Sequence, residues 1–169
     1  SKEEALCKHI LNETEKALDA LIKMRKVEGE NLEKDLLKRL NVLDSTLDKI
    51  AHLDPLRIVS WKEKFQERLK ALMGETEIDP ARILQEASIT ADKLDINEEI
   101  TRFKSHNLLF ANAIKEGASQ GKKLNFILQE MGREANTLGT KCQDAEIQSL
   151  AILLKDEIES MREQVMNIE

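Results

Sequence analysis

Apolar positions in the first fifty residues recur at alternating intervals of four and three: Ile10, Thr14, Ala17, Leu21 and Met24, then Leu36, Leu40, Leu43, Leu47 and Ile50. That is the spacing of a heptad seam on an α-helix. Between the two runs, steps through Glu28 and Leu32 insert an extra four, a stutter that locally unwinds a supercoil. Gly29 lies beside it and costs ~1 kcal/mol relative to alanine in a helix, which allows a kink or break there. Asp54-Pro55 is the first strong stop signal, because proline lacks an amide, disfavours helix at the residue before it and suits a new first turn. The expectation is a tight turn joining two antiparallel helices, Lys2 to Leu53 and Pro55 to Leu94.

The returning helix carries Ile58, Trp61, Phe65, Leu69 and Leu72 on one face and is interrupted at Gly74-Glu75-Thr76. Asp79-Pro80 restarts it, with Asp79 as N-cap and Pro80 at the first helical position, and Ile83, Ala87, Ala91 and Leu94 continue the stripe. Asp95-x-x-Glu98 reads either as a capping-box variant or as part of a continuous helix. Ile100, Phe103, Asn107, Phe110 and Ile114 mark the next buried face, followed by a loop from Gly117 to Gly121. A further helix buries Leu124, Ile127, Leu128, Met131, Ala135 and Leu138 and is expected to stop at Gly139 in the C′ position. A last one, about Gln143 to Asn167, buries Ile147, Leu150, Leu154, Ile158, Met161 and Val165. No strand pattern survives. The predicted fold is all-α: residues 1–94 form a long antiparallel, coiled-coil-like helical hairpin turning near 53–55, and residues 95–169 form a compact helical bundle.

Composition supports this reading. Two prolines, six glycines and 3% aromatics among 169 residues do not suit a turn-rich sheet protein. Cys7 and Cys142 lie far apart without partner spacing, so neither a disulfide framework nor a zinc site is implied, and a reducing cytoplasm fits. No apolar run approaches the roughly 18 residues of a membrane span and no signal peptide opens the chain, so no membrane association is expected. The start at Ser1, inside a helical pattern, suits an excised fragment. The net charge of −6 weighs against nucleic acid, but it is unevenly spread. Between Ile100 and Lys141 seven basic residues face three acidic ones, which leaves −10 for the remainder.

The chemistry-bearing residues fall in that basic stretch. Glu130 and Glu134 lie one turn apart and could share one Mg²⁺ or Mn²⁺, ions that prefer oxygen ligands and keep several waters. Arg133 between them could bind a phosphate bidentately. The ordinary alternative is a solvated Glu-x-x-Arg-Glu face with local ion pairs. His106 shares a helix face with Glu99 and Arg102, and an imidazole there could move the 2′-hydroxyl proton of RNA or protonate a leaving oxygen; a lone histidine is more often structural. Lys122, Lys123 and Lys141 bracket the motif helix and, with Arg102, are candidate contacts to an RNA backbone, against the alternative of ordinary surface charge. No phosphate-cradling glycine loop, Cys-x-x-Cys pair or serine nucleophile motif is present.

The run Leu124-x-Phe126-x-x-Gln129-Glu130-x-x-Arg133-Glu134-x-Asn136-Thr137-Leu138-x-x-Lys141 resembles the signature of the YicC/YloC-like bacterial family. Met161-Arg162-Glu163-Gln164-Val165-x-Asn167-Ile168-Glu169 resembles the family's C-terminus, Arg25-x-x-Glu28-Gly29-x-x-Leu32 an upstream block, and Lys104-Ser105-His106 lies in a family-like block. The resemblance is strongest from Asp95 onward. It implies a cytoplasmic, divalent-metal-dependent endoribonuclease acting on RNA as a ring-like homo-oligomer, a hexamer being one arrangement. The chain would be its C-terminal portion, without the N-terminal domain. The site expectation is Glu130 and Glu134 as metal ligands, His106 as proton carrier, and Arg102, Lys122, Lys123, Arg133 and Lys141 toward RNA. The competing expectation is a non-catalytic coiled-coil module for oligomerisation or protein interaction, drawn from the seams at 10–50 and 58–94.

Overall fold

The computed structural model describes residues 2–73, 79–116 and 120–166. They form five α-helices: α1 (Lys2–Met73), α2 (Pro80–Leu94), α3 (Asn97–Lys115), α4 (Gly121–Lys141) and α5 (Ala145–Val165). No strand occurs among the described residues, as the alternation-free sequence predicts.

The chain divides into two units, Ser1–Lys38 and Arg39–Glu169. In the first, α1 passes through Gly29 without a break. Its large apolar side chains Leu6, Ile10, Leu11, Leu18, Leu21, Ile22, Met24 and Val27 are all at least half exposed.

The second unit is built on a four-helix bundle. Leu40, Leu43, Leu47 and Ile50, the second heptad seam, are buried to 4% exposure or less. Polar contacts fix the directions. Asn107 Nδ2 donates to Asp44 Oδ1 at 2.6 Å and Lys104 Nζ to Asp48 Oδ1 at 2.6 Å, so α1 and α3 meet in reverse order and are antiparallel. Arg39 Nη1 donates to Glu157 Oε2 at 2.8 Å, and Arg57 reaches the connection just before α5, so α5 also runs against α1. Helix α4 is antiparallel to both α3 and α5. The six positions assigned to its buried stripe, from Leu124 to Leu138, are its buried residues. In α5 the buried set matches expectation except that Ala151 takes the place of Leu150, and in α3 Ala113 that of Ile114.

Three local expectations are corrected. The turn near 53–55 is not there, because α1 continues through Pro55 to Met73. A proline inside a helix costs ~3 kcal/mol or more. Here the helix on both sides is held by tertiary contacts, with Leu47 and Ile50 buried before it and Arg57 anchored after it. The interruption seen in the sequence at Gly74-Glu75-Thr76 lies outside the described residues. Beyond it Asp79 caps α2 as expected, accepting from Ala81 N at 2.9 Å with Pro80 at the helix start. Because Arg57 also bonds Leu94 at the far end of α2, α2 returns antiparallel to the last third of α1, and the hairpin closes at 74–78. The boundary expected at 94/95 moves to 38/39, since the second heptad seam is buried in the bundle itself.

The expected stop at Gly139 is also overturned, because α4 runs on to Lys141 with Cys142 as C-cap. A Cβ built on Gly139 would stand 3.3 Å from Ala151 Cβ, so the glycine lets α4 and α5 approach closely. The left-handed residue at the helix end is Gln143, with φ 44°. At the α2–α3 junction the helices are separate, and Asp95 Oδ1 accepts from Asn97 N at 2.9 Å. Glu98, the acid of the proposed capping box, instead pairs with Arg102.

Arg57 is the buried anchor of this unit. At 8% exposure it donates from Nε to Asp54 Oδ1 at 3.0 Å, from Nη1 to the Cys142 carbonyl at 3.0 Å and from Nη2 to the Leu94 carbonyl at 2.7 Å. Nη2 also contacts Asp54 Oδ1. Arg57→Met is expected to destabilise the fold by about 3–5 kcal/mol, since it leaves Asp54 buried without its cation, and Asp54→Asn added to it should recover part of the loss; urea denaturation reads both. Gly139→Val is expected to cost about 1–3 kcal/mol by overpacking the α4–α5 contact, whereas Gly139→Ala should change the midpoint little, its gain in helix propensity offsetting the close contact.

Candidate functional site

The candidate residues from sequence gather along one seam, between α3 and α4. On α3, Glu99, Arg102 and His106 stand at intervals of three and four and share a face. On α4, Glu130, Glu134 and Lys141 occupy the margin turned toward α3. Two ion pairs stitch the seam: Lys141 Nζ to Glu99 Oε1 at 2.7 Å, and Arg102 Nη1 to Glu134 Oε1 at 3.9 Å. Because 99 meets 141 and 102 meets 134, the helices are antiparallel and His106, one turn beyond Arg102, lies level with the Glu130–Glu134 turn. His106 is half-buried.

Glu130 and Glu134 are not a freely solvated face. Their side chains are only 22% and 12% exposed, and each meets a guanidinium: Arg133 Nη1 to Glu130 Oε1 at 2.7 Å, and Arg102 to Glu134. Arg102 also pairs with Glu98 at 2.5 Å. Both arginine side chains remain more than half exposed, so their outer N–H groups stay open to a phosphate from solvent. Among the described residues no three His, Cys, Asp or Glu side chains converge on a common ion position. The carboxylate pair is nonetheless of the right chemistry for Mg²⁺ or Mn²⁺, which take one or two carboxylates and complete their shell with water and substrate phosphate.

The lysines separate into two groups. Lys122 and Lys123 are exposed at the start of α4, about 28 Å along the axis from Lys141 at 1.5 Å per residue, so no single contact uses both ends. Lys123 pairs with Glu116 at 2.5 Å. Lys141 is committed to the fold, bonding the Asp95 carbonyl at 3.1 Å as well as Glu99. The local excess of positive charge counted in sequence is largely neutralised. Arg102, Lys104, Lys123, Arg133 and Lys141 all hold an acidic partner, and three of those partners, Asp48, Glu98 and Glu99, lie outside the counted stretch.

Sequence reasoning assigned no role of its own to Glu99. It is 5% exposed, and its second oxygen, Oε2, is buried without a hydrogen-bond partner. A buried carboxylate oxygen left unpaired is costly, which sets Glu99 apart from the other acids of the seam. The available signal was its place one turn before Arg102 and two before His106.

Residues 50–169 match the family described as "Endoribonuclease YicC-like, C-terminal". A probable endoribonuclease YicC of Clostridioides difficile is 40% identical over 155 residues, covering 89% of this chain and 53% of its own length. A probable endoribonuclease YicC of Haemophilus influenzae is 34% identical over 166 residues, covering 98% of this chain and 57% of its own. The chain thus spans little more than half the length of these relatives. The matched span takes in the second half of the bundle's α1 segment and all of α2 to α5, so this chain belongs to the YicC-like endoribonuclease family, through that family's C-terminal domain.

Proposed function

We propose that the chain supplies the α3–α4 seam as the RNA-binding and phosphate-handling face of a metal-dependent endoribonuclease. The observation that carries the reading is the convergence on one seam of an imidazole, two guanidiniums and two half-buried carboxylates, in a chain whose relatives are named as probable endoribonucleases. In this reading Arg102 and Arg133 turn their open N–H groups to the RNA phosphate, for which a planar guanidinium is geometrically suited. His106 carries the proton, taking it from a 2′-hydroxyl or giving it to the leaving oxygen. Glu130 and Glu134 hold the divalent ion, which would supply charge neutralisation at the phosphate. Glu99 and Lys141 lock the register of the two helices, and Lys122 and Lys123 extend the contact toward the start of α4.

A second reading has its own observation. The exposed apolar residues from Leu6 to Val27 form a helix stripe of the kind that coiled-coil partners cover. On it the first unit serves assembly, with copies of this chain as partners, and it is compatible with the first reading. Light scattering checks it: replacing Leu18 and Leu21 with glutamate should shift an oligomer toward monomer.

Cleavage of a labelled single-stranded RNA, measured with Mg²⁺, Mn²⁺ or EDTA, tests the nuclease reading, for this chain alone and extended to its relatives' length. The double variant Glu130→Gln/Glu134→Gln is expected to abolish metal-dependent cleavage while melting within a few degrees of the parent, because glutamine keeps the contacts and partly exposed pairs contribute ~1 kcal/mol or less. Normal cleavage by that variant would remove the ligand assignment. His106→Ala should reduce cleavage and leave binding intact.

Binding itself has a salt signature. With about three to five phosphate contacts, log affinity should fall against log salt with a slope of about −2 to −3.5 for a single strand. Lys122→Gln/Lys123→Gln should flatten the slope, and an unchanged slope would move the RNA path away from the start of α4.

A further inference from the structure

The seam leaves unused a cavity of about 310 Å³ on the other side of the α4 C-terminus. Its floor is one face of α1, where Arg57, Ser60, Trp61, Lys64, Phe65 and Arg68 follow at intervals of three and four. Its far wall is made by Leu94 and the α4–α5 connection, Cys142 to Asp144. Trp61 and Phe65 stack with ring centroids 5.3 Å apart and planes within 16°, so they present one continuous π-surface. Lys64 and Arg68 flank it, each one turn from an aromatic ring, and neither is engaged in an ion pair or hydrogen bond among the described residues. They differ in this from Arg102, Lys104, Lys123, Arg133 and Lys141.

The other charges lining the cavity are already satisfied. Arg57 is buried against Asp54 and two carbonyls. Asp144 accepts from the amides of Glu146 and Ile147, both at 3.0 Å, so its charge is set against the α5 N-terminus. At the rim, Gln143 is exposed and held in the left-handed region at φ 44°, bringing an amide with both donor and acceptor to the opening. An aromatic platform, two uncommitted cations and an amide within one cleft of this size match the demands of a nucleotide: a π-face to stack, a phosphate to neutralise and a base edge to bond.

We propose that this cavity is a nucleotide subsite, in which one base of a single-stranded RNA stacks on the Trp61–Phe65 pair while Lys64 and Arg68 hold the adjoining phosphate. It rests on the reading of the chain as an RNA-binding domain and adds a second point of contact to the seam. Stacking tolerates any base, so the subsite would add affinity with little sequence preference.

Trp61 is the single tryptophan of the chain, which makes its emission a reporter for this cavity alone. A short fluorescein-labelled oligoadenylate is titrated into the whole chain and followed by anisotropy, and its unlabelled form is followed by tryptophan emission. The expected result is a rise in anisotropy with tryptophan quenching that saturates at the same concentration. Lys64→Gln/Arg68→Gln should lower the magnitude of the salt slope by about 1.4, at 0.7 per phosphate contact. Trp61→Ala should weaken binding by about 5- to 150-fold, with circular dichroism confirming its fold, and Trp61→Phe should retain most of the affinity. Binding that leaves tryptophan emission unchanged, with the salt slope unaltered in the double variant, would overturn the subsite and leave the RNA reading standing. No rise in anisotropy at low salt would overturn both.

Discussion

One guanidinium holds together the parts that sequence periodicity alone would leave apart. Arg57 sits just past the proline of α1, and its donors close on the Asp54 carboxylate and on carbonyls at the ends of α2 and α4. Those carbonyls belong to helix C-termini, where the last turn has no amide partner of its own, and a cation there also complements the helix dipoles. A single buried side chain therefore satisfies the two helix ends, compensates a buried acid and fixes where the hairpin formed with α2 leaves the bundle. Burial of an arginine is tolerated only when its donors are used in this way.

The helices and the core of the bundle were legible from spacing because burial in a bundle repeats with the helix period. All six stripe positions of α4 and the second heptad seam of α1 are buried where the pattern put them. What spacing did not reveal were the features decided by neighbours distant in sequence. Pro55 carries every local mark of a turn, yet it lies within α1, because contacts from Arg57 and the buried leucines outweigh a local preference of a few kcal/mol. Gly139 carries every mark of a helix stop, yet Ala151 opposite it gives the glycine a packing role. The left-handed position fell to Gln143, a residue type with no particular signal for it.

The candidate site shows the same division. That Glu130 and Glu134 lie one turn apart, and that Glu99, Arg102 and His106 share a face, followed from helical geometry. That the two sets face each other did not, since it depends on the antiparallel register of α3 and α4. The basic excess between residues 100 and 141 was a property of a window in the sequence, and it dissolved once Asp48, Glu98 and Glu99 entered from outside that window. Formal charge within a segment is a poor guide to surface potential wherever neighbouring helices contribute the counter-charges.

This bears on where an acidic chain could accept RNA at all. With most cations of the seam paired, phosphate binding there requires exchange of one anion for another, which costs little at exposed arginines but adds little net attraction. The cavity beside Trp61 has the opposite character, since Lys64 and Arg68 need no exchange and the aromatic floor supplies affinity that salt does not screen. The two places are joined by short covalent links: Leu94 lines the cavity and Glu99 opens the seam, while Cys142 lines the cavity and Lys141 closes the seam. A strand anchored by stacking at the cavity would meet the seam at its Glu99–Lys141 end and run along it toward His106 and Glu130. In that arrangement affinity comes chiefly from the cavity, and the seam is left to act on the phosphate.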